Sequence, residues 1–128
     1  MPDEQGHHEE LVAGIVKQLK PILDKSEQAI FVYLDDTHKA CNKKYAEMLG
    51  YKSAKAWADT DAPLSDVIEK DQQKVIDAYQ AAMEKQAAST ANVTARHIKT
   101  GALIKTKLVL VPVAYDGHLF SLNFFSKV

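Results

Sequence analysis

The stretch LIKTKLVLVPVAYDGHLFSLNFFSKV, residues 103–128, decides the fold, because Asp116-Gly117 joins two β-prone apolar runs in it. Asp-Gly in this setting is typical of a two-residue type I′ hairpin turn, in which both central residues need a positive φ. Such a turn fixes the register of the two strands. The predicted pairs are Tyr115 with His118, Val113 with Phe120, Val111 with Leu122, Val109 with Phe124, Ala114 with Leu119, Pro112 with Ser121, Leu110 with Asn123, Leu108 with Phe125 and Thr106 with Lys127.

This register gives the hairpin two different faces. The first face, called here the valine face, is apolar throughout and consists of Val109, Val111, Val113, Phe120, Leu122 and Phe124. The second, called here the mixed face, consists of Leu108, Leu110, Phe125, Thr106, Ser121 and Asn123. A hairpin with one side in water alternates apolar and polar residues. Neither face is polar enough for that, so we expect other elements to pack on both.

Length and composition bound the class of protein. A chain of 128 residues with 16 basic and 17 acidic residues is predicted to be one domain without the basic excess of a nucleic-acid or anionic-membrane binder. The single cysteine fits a reducing compartment. No apolar run approaches the ~20 residues of a membrane span, and the polar N-terminus is no signal peptide. We therefore expect a cytoplasmic protein that binds neither nucleic acid nor membrane.

The chain divides into three predicted parts: a disordered lead (1–8), an N-terminal helix (9–27) and a folded domain (28–128). Apolar residues at helical spacing predict a helix from Glu9 to about Lys25, with a kink or break before Pro21. The natural partner of its apolar stripe is the valine face, in the same chain or in a dimer mate. The residues expected to mediate this docking or dimerisation are Leu11, Ile15, Leu19, Val109, Val111, Val113, Leu122 and Phe124.

The middle of the chain predicts short elements with clear boundaries. Strands are expected at 29–34 and 38–41, then a helix at 43–49 between Asn42 and Gly50, and a helix at 54–58 capped by Ser53. A turn or short helix at 64–69, a longer helix at 72–86 opened by Asp71, and a strand at 88–99 ending in Thr100-Gly101 follow. This order predicts an α+β fold with a five-stranded antiparallel sheet.

The sequence resembles a PAS sensor domain over residues 29–127. The resemblance rests on AIFVYLDDTHKACNKKYAEMLGY (29–51), the helix opened by Asp71, the Thr100-Gly101 turn and LVPVAYDG (110–117). PAS domains typically show a strand, an Asp turn, a strand ending in Asn, a short helix and a Gly-Tyr, which Asn42, Leu49, Gly50 and Tyr51 match. Pro112 matches a proline that is common shortly before the last turn.

The resemblance implies a small-molecule pocket between the concave side of the sheet and the helices, and dimerisation through an N-terminal helix on the outer side. The mixed face would then point inward and the valine face outward. The residues expected to bind a ligand are Arg96, Thr106, Leu108, Leu110, Asn123, Phe125, Met83 and Tyr79.

Arg96 and Asn123 are the polar residues on which this pocket depends. If the Thr100-Gly101 turn pairs Arg96 with Thr106, Arg96 points inward with Asn92 and Thr94, and a ligand carboxylate or phosphate would satisfy it. The alternative is that Arg96 pairs with an acidic residue near the sheet edge or reaches solvent. Asn123, likewise, contacts a ligand or is satisfied by backbone or water.

The identity of any cofactor stays open. Photoactive flavin is not expected, because the segment from Trp57 to Asp71 lacks the adduct-forming cysteine of light-oxygen-voltage relatives, and Cys41 reads as a small buried apolar residue. Haem is not expected, because the helix at 72–86 has no histidine. The histidines lie far apart in sequence except His7 and His8 in the predicted lead, so no metal site is expected.

The resulting function is a sensory or signal-transduction module that binds a small ligand and acts through dimerisation or a partner protein. No catalytic motif is present, so we do not expect an enzyme. Since no kinase, cyclase or DNA-binding pattern accompanies the domain, its output is expected to pass to an unidentified signalling partner, or the chain is part of a larger receptor. Two alternatives remain: a dimerisation module with a filled interior, and a small enzyme of the ketosteroid-isomerase type.

Overall fold

The computed structural model describes residues 4–128. The elements in chain order are α1 (Glu4–Lys25), β1 (Ala29–Asp35), β2 (His38–Cys41), α2 (Lys43–Leu49), α3 (Ala54–Ala58), a short 3₁₀ helix (Leu64–Asp66), α4 (Glu69–Lys85), β3 (Ser89–Arg96), β4 (Leu103–Tyr115) and β5 (His118–Lys127). The strands form one five-stranded sheet in the order β2-β1-β5-β4-β3, and all neighbours are antiparallel. The predicted α+β class is confirmed.

The hairpin formed by β4 and β5 has the predicted register throughout, from Tyr115 opposite His118 to Thr106 opposite Lys127. Asp116 and Gly117 have φ values of 47° and 78°, as a type I′ turn requires. The mixed face points to the interior, where Leu108, Leu110 and Asn123 are at most 2% exposed.

The predicted register of β3 is wrong. Arg96 lies opposite Leu103, and Thr106 lies opposite Val93, three residues from the expected pairing. The connection 97–102 closes with hydrogen bonds from the His97 N–H to the Ala102 carbonyl and from the Gly101 N–H to the His97 carbonyl, each 2.9 Å. A shift by an odd number of residues exchanges the two faces of a strand. Val93 therefore points to the core, and Arg96 is exposed.

Helix α1 begins earlier than predicted and does not break. Residues 4–8, expected to be a disordered lead, belong to the helix, and residues 1–3 lie outside the described part of the chain. The helix also continues through Pro21 to Lys25. Leu23, beyond the proline, is 6% exposed against the sheet, so docking of the last turn outweighs the hydrogen bond that proline removes. Within residues 4–128 no helix is long and apolar enough to cross a bilayer.

Helix α1 packs on the outer side of the sheet in the same chain. Leu11 and Ile15 are 3% and 1% exposed and form one cluster with strand residues. The sheet residues of this cluster are Ile30, Val32, Phe120 and Leu122, with Leu34, Val113, Tyr115 and Phe124 packed at its margin. The predicted docking residues Leu19, Val113, Leu122 and Phe124 lie in or against this cluster, whereas Val109 and Val111 do not and are half-buried.

Gly14 sets how closely α1 approaches the sheet. A Cβ atom at this position would clash with the phenol oxygen of Tyr115 at the end of β4. The absent side chain therefore makes room for the tyrosine ring, which packs edge-on against Phe120 with ring centroids 6.2 Å apart.

Asn42 joins α1, the sheet and α2. Its Oδ1 accepts hydrogen bonds from the N–H groups of Tyr45 (2.9 Å) and Ile30 (3.0 Å), so it is the predicted N-cap of α2. Its Nδ2 donates to the carbonyls of Leu23 (3.2 Å) and Gln28 (2.9 Å). One buried amide thus holds the end of α1 against the first strand.

Helix α4 begins before Asp71, which is not its N-cap. The helix starts at Glu69 after Ile68, and Asp71 lies in its first turn. The Asp71 carboxylate accepts a 2.8 Å hydrogen bond from the Thr94 N–H of β3 and lies 3.3 Å from Lys74 Nζ. Asp71 therefore fastens the start of α4 to the neighbouring strand.

Candidate functional site

A cavity of about 210 Å³ lies between α4 and the inner side of the sheet. Its walls are mainly apolar, and a few polar side chains from β1, β5 and α4 reach it. The lining residues are Phe31, Tyr33, Asp36, Pro63, Leu64, Val75, Ile76, Tyr79, Gln80, Leu110, Ser121 and Asn123. Apolar walls with a small number of convergent polar groups are typical of a small-molecule site.

Tyr33 and Tyr79 form one side of the cavity. Their rings meet edge to face with centroids 5.7 Å apart, and the Tyr33 hydroxyl donates a 2.6 Å hydrogen bond to Asp36 Oδ1. Burial, followed by the hydrogen bond to Asp36, raises the pKa of Tyr33. Burial and the nearby Asp35 and Asp36 charges also raise the pKa of Tyr79. Both phenols therefore keep their protons at neutral pH: Tyr33 donates its proton to Asp36, and Tyr79 can donate to another acceptor.

Asn123 and Ser121 supply the polar groups on β5. Both side chains are buried, at 2% and 1% exposure, as the inward-pointing positions of the hairpin. The Asn123 amide nitrogen donates to Ser121 Oγ at 3.0 Å and to the Ser121 carbonyl at 3.2 Å. This pair orients the amide at the cavity wall without a charged partner.

Apart from Arg96, the expected ligand-binding residues separate into two groups. Leu110, Asn123 and Tyr79 line the cavity. Thr106, Leu108, Phe125 and Met83 do not line it: the first three are buried in the core, and Met83 on α4 is half-buried. Thr106 Oγ1 instead donates a 2.8 Å hydrogen bond to the Val93 carbonyl.

The prediction that Arg96 points inward is wrong, because the observed register of β3 turns its side chain to the exposed face. Asp36 is then the one charged residue among the described residues that line the cavity. A carboxylate at the rim disfavours an anionic ligand. The structure therefore removes the basis for expecting a ligand carboxylate or phosphate bound to Arg96.

The residues that the sequence did not identify come mostly from β1 and α4. Phe31 and Tyr33 alternate with Ile30 and Val32 in a run that is apolar on both sides, so no polar period shows which residues face inward. The pairing of β1 with β5 identifies them, because Tyr33 lies directly opposite Ser121, which the hairpin register places on the inward face.

A buried carboxylate lies next to the cavity in the helical segment. Asp66 accepts hydrogen bonds from Tyr51 (2.5 Å), Trp57 Nε1 (2.7 Å) and Tyr45 (3.5 Å). Burial raises the pKa of Asp66, although these hydrogen bonds act in the opposite direction. Since every donor of this group comes from α2, α3 or the loop between them, its role is to hold the short helices together.

Lys39 completes this polar layer. It is 4% exposed, and its ammonium donates to the backbone carbonyls of Asp36, Ala58 and Thr60. It also lies 5.3 Å from the centroid of the Trp57 ring. Lys39 therefore ties the β1–β2 turn, which carries Asp36 at the cavity rim, to the helical segment.

A larger concavity of about 530 Å³ lies between the α1–β1 connection, α2 and the end of β5. Glu27, Lys44, Glu47 and Lys127 line much of it, and all four are exposed. Solvated charges of both signs do not define a ligand chemistry. The cavity beside Asn123 is therefore the better candidate site.

Known structures share this arrangement. No protein-family model matches the sequence, and no curated protein was found that matches it. The PAS domain of a two-component sensor histidine kinase superposes with a TM-score of 0.65 at 15% identity, over 91% of this chain and 98% of that one. A PAS domain from Colwellia psychrerythraea gives 0.66 at 20% identity, over 89% and 97%. The PAS domain of the fruit-fly ELK potassium channel gives 0.62 at 13% identity, over 88% and 96%.

These three structures agree with this chain over nearly their whole length, although few residues are identical. The predicted resemblance is confirmed at the level of architecture: this chain has the PAS fold.

Proposed function

We propose that this protein is a sensory module that binds a small neutral molecule in the cavity between α4 and β5 and reports its presence through α1. The observation that carries the proposal is the cavity itself, where apolar walls surround the Tyr33, Tyr79 and Asn123 side chains. The structures with the same fold include PAS domains of a sensor histidine kinase and a potassium channel, which supports a role in signalling.

The cavity limits the size of the ligand. Pockets for drug-sized molecules have volumes of roughly 300–1,000 Å³, and this cavity has about 210 Å³. A flavin or a haem is larger than such a space admits. The proposed ligand is therefore a small molecule with an apolar body that offers a hydrogen-bond acceptor to the Tyr79 hydroxyl and a donor to Asn123 Oδ1, since Asp36 and Ser121 already accept from Tyr33 and from the Asn123 nitrogen.

The strands supply a route from the cavity to α1. On β1, Phe31 and Tyr33 line the cavity, whereas Ile30 and Val32 between and beside them pack under α1. A ligand that prefers one position of β1 and β5 would shift the population of helix positions on the other side. The signal would then pass to a partner protein.

A homodimer is the proposed form in which α1 acts. Val109 and Val111 are half-buried on the outer side, next to the part of the sheet that α1 covers. Val12, Val16 and Leu19 of α1 are also half-buried, and Ile22 is 48% exposed. A second copy would cover these residues. Analytical ultracentrifugation of wild type and Val111→Asp tests this, since the charge should produce monomers while the fold stays intact.

The two alternatives make different demands on the cavity. An isomerase-type enzyme needs a carboxylate at the bottom of an apolar pocket, whereas Asp36 is exposed at the rim and accepts the Tyr33 hydroxyl. A ligand-free interaction module is favoured by the Asn123–Ser121 hydrogen bonds, which already satisfy the amide nitrogen. That module differs from the sensor in one measurable respect, the absence of ligand binding.

Thermal-shift screening of small neutral metabolites, together with mass spectrometry of the denatured purified protein, tests the ligand. The cavity-filling variant Val75→Phe should fold and lose every shift that wild type shows, because Val75 lines the cavity. Val128→Phe makes the same exchange at a position that is 82% exposed and does not line the cavity, and should retain the shifts. Absence of any bound or stabilising molecule, or equal shifts in Val75→Phe, would favour the ligand-free module.

A further inference from the structure

Histidines that are distant in sequence meet at one end of the sheet. His8 lies near the start of α1, His38 begins β2 and His118 begins β5. The His8 ring centroid is 5.2 Å from that of His38 and 5.7 Å from that of His118. His7 packs on His118 at 5.3 Å. The chain comes together here because β1 pairs with both β2 and β5, and α1 starts above this edge.

His38 is the buried member of this histidine cluster. It is 7% exposed, and its Nδ1 lies 2.7 Å from Asp35 Oδ1. Among the residues that the structure describes, its Nε2 is the buried side-chain nitrogen or oxygen that has no hydrogen-bond partner. Leaving such a buried nitrogen without a partner is unfavourable.

We propose that His8, Asp35 and His38 form a binding site for a divalent transition-metal ion of the Zn²⁺ type. One ligand atom from each of the three residues lies within 4.8 Å of the others, and Asp35 Oδ2 is 3.5 Å from His8 Nδ1. Zinc bonds of about 2.0–2.2 Å bring tetrahedral ligand atoms to roughly 3–4 Å from each other. Small side-chain rotations therefore close the site, and His118 stands next to it for a fourth position.

The ligand types select the class of metal. Imidazole nitrogens with one carboxylate suit zinc, copper or nickel, whereas magnesium and calcium prefer sets of oxygen ligands. The Asp35 carboxylate adds an anionic oxygen ligand to the two imidazoles.

A metal at this position would clamp the first turns of α1 to the β1–β2 turn. No pattern in the sequence predicts this metal site, because residues 1–8 are predicted to be disordered and the histidines are far apart in sequence except His7 and His8. The clamp does not depend on the ligand in the cavity. It would act on the same helix from a different point, about two turns before Ile15.

Isothermal titration of the chain without an added histidine tag tests the site directly. Zn²⁺ and Ni²⁺ should bind with one ion per chain and raise the melting temperature, whereas Mg²⁺ and Ca²⁺ should not. His8→Ala and Asp35→Asn should weaken Zn²⁺ binding at least about 10–100-fold, the loss typical even of supporting residues at metal sites. His97→Ala should not weaken Zn²⁺ binding, because His97 follows β3 and its ring lies against Gly50 rather than in the histidine cluster.

Circular dichroism checks that each variant folds, and ¹⁵N NMR of the imidazole rings gives an independent readout. Zn²⁺ should move the His8 and His38 ring resonances and leave those of His97 in place. Three results would overturn the proposal: no saturable Zn²⁺ binding, an equal loss in His97→Ala, or binding that Mg²⁺ competes away. The first two would leave the ligand cavity unaffected, since the cavity test uses Val75→Phe.

Discussion

The two sides of the sheet are built from the same strands but differ in kind. The outer side packs Ile15, Val32 and Phe120 under α1, each at most 1% exposed, and its buried polar side chain His38 lies at the edge where α1 begins. The inner side retains Asn123 and Ser121 beside about 210 Å³ of space. A filled apolar side resists displacement, whereas a side with space and oriented polar groups can accept another molecule.

This difference assigns separate tasks to neighbouring residues of one strand. Since side chains alternate along β5, Asn123 faces the cavity while Leu122 and Phe124 face α1. Substitutions on the outer side should therefore act mainly on stability and helix docking. Substitutions on the inner side should act mainly on ligand binding.

The largest expected effect is on the outer side. Ile15→Ala should lower the free energy of unfolding by about 2–5 kcal/mol, because the Ile15 side chain is 1% exposed and its removal leaves a cavity between α1 and the sheet. Ile98→Ala in the β3–β4 connection is the control, since Ile98 is 48% exposed and should change stability by less than about 0.5 kcal/mol. Denaturant unfolding measures both. Equal effects of the two substitutions would mean that α1 does not dock as described.

Replacing Asn42, which joins α1, β1 and α2, should lower stability nearly as much. Asn42→Ala removes four hydrogen bonds that join α1, β1 and α2, and we expect a loss of about 2–4 kcal/mol. Ser53→Ala removes a comparable cap, of α3 alone, and should cost about 0.5–1 kcal/mol. If the Asn42 variant lost no more than the Ser53 variant in chemical denaturation, Asn42 would be a simple helix cap.

Gly14→Ala tests helix docking by the sign of its effect. In an undocked helix, alanine stabilises by about 0.5–1 kcal/mol relative to glycine. Here the new methyl group meets the Tyr115 hydroxyl, and we expect a loss of about 1–3 kcal/mol instead. Adding Tyr115→Phe should recover part of this loss, because it removes the phenol oxygen from the clash. A gain in melting temperature for Gly14→Ala alone would contradict the docked arrangement.

The smallest expected effect is a pH dependence at the edge of the inner side. The Thr94 N–H, with help from Lys74, lowers the pKa of Asp71 below its ordinary value of 3.8. The folded state therefore binds the proton less readily than the unfolded chain, so this stabilisation is present above about pH 4 and lost as the pH falls. Asp71→Asn keeps an oxygen for Thr94 but does not titrate. Below about pH 4 the melting temperature of wild type should fall more steeply with decreasing pH than that of Asp71→Asn. Equal slopes for the two proteins would exclude this role of Asp71.

What the sequence predicts well is what short-range chemistry dictates. Asp116-Gly117 leaves one register for β4 and β5, and Asn42 and Gly50 mark both ends of α2. The β3 register failed because the connection at 97–102 is long enough to admit several pairings, and an error of three residues turned Arg96 inward. The cavity walls on α4 and the meeting of the histidines depend on tertiary packing. No local pattern in the sequence encodes them.

The most direct test of the sensory function is an NMR titration of ¹⁵N-labelled protein with the small molecules that give the largest thermal shifts. We expect one compound to perturb the amides of Tyr33, Tyr79 and Asn123, and the same titration to shift amides of α1 around Gly14 and Ile15. A compound that shifts the cavity amides but leaves α1 unchanged would contradict transmission through the sheet. If no compound perturbs the cavity amides, the proposed sensory function is wrong.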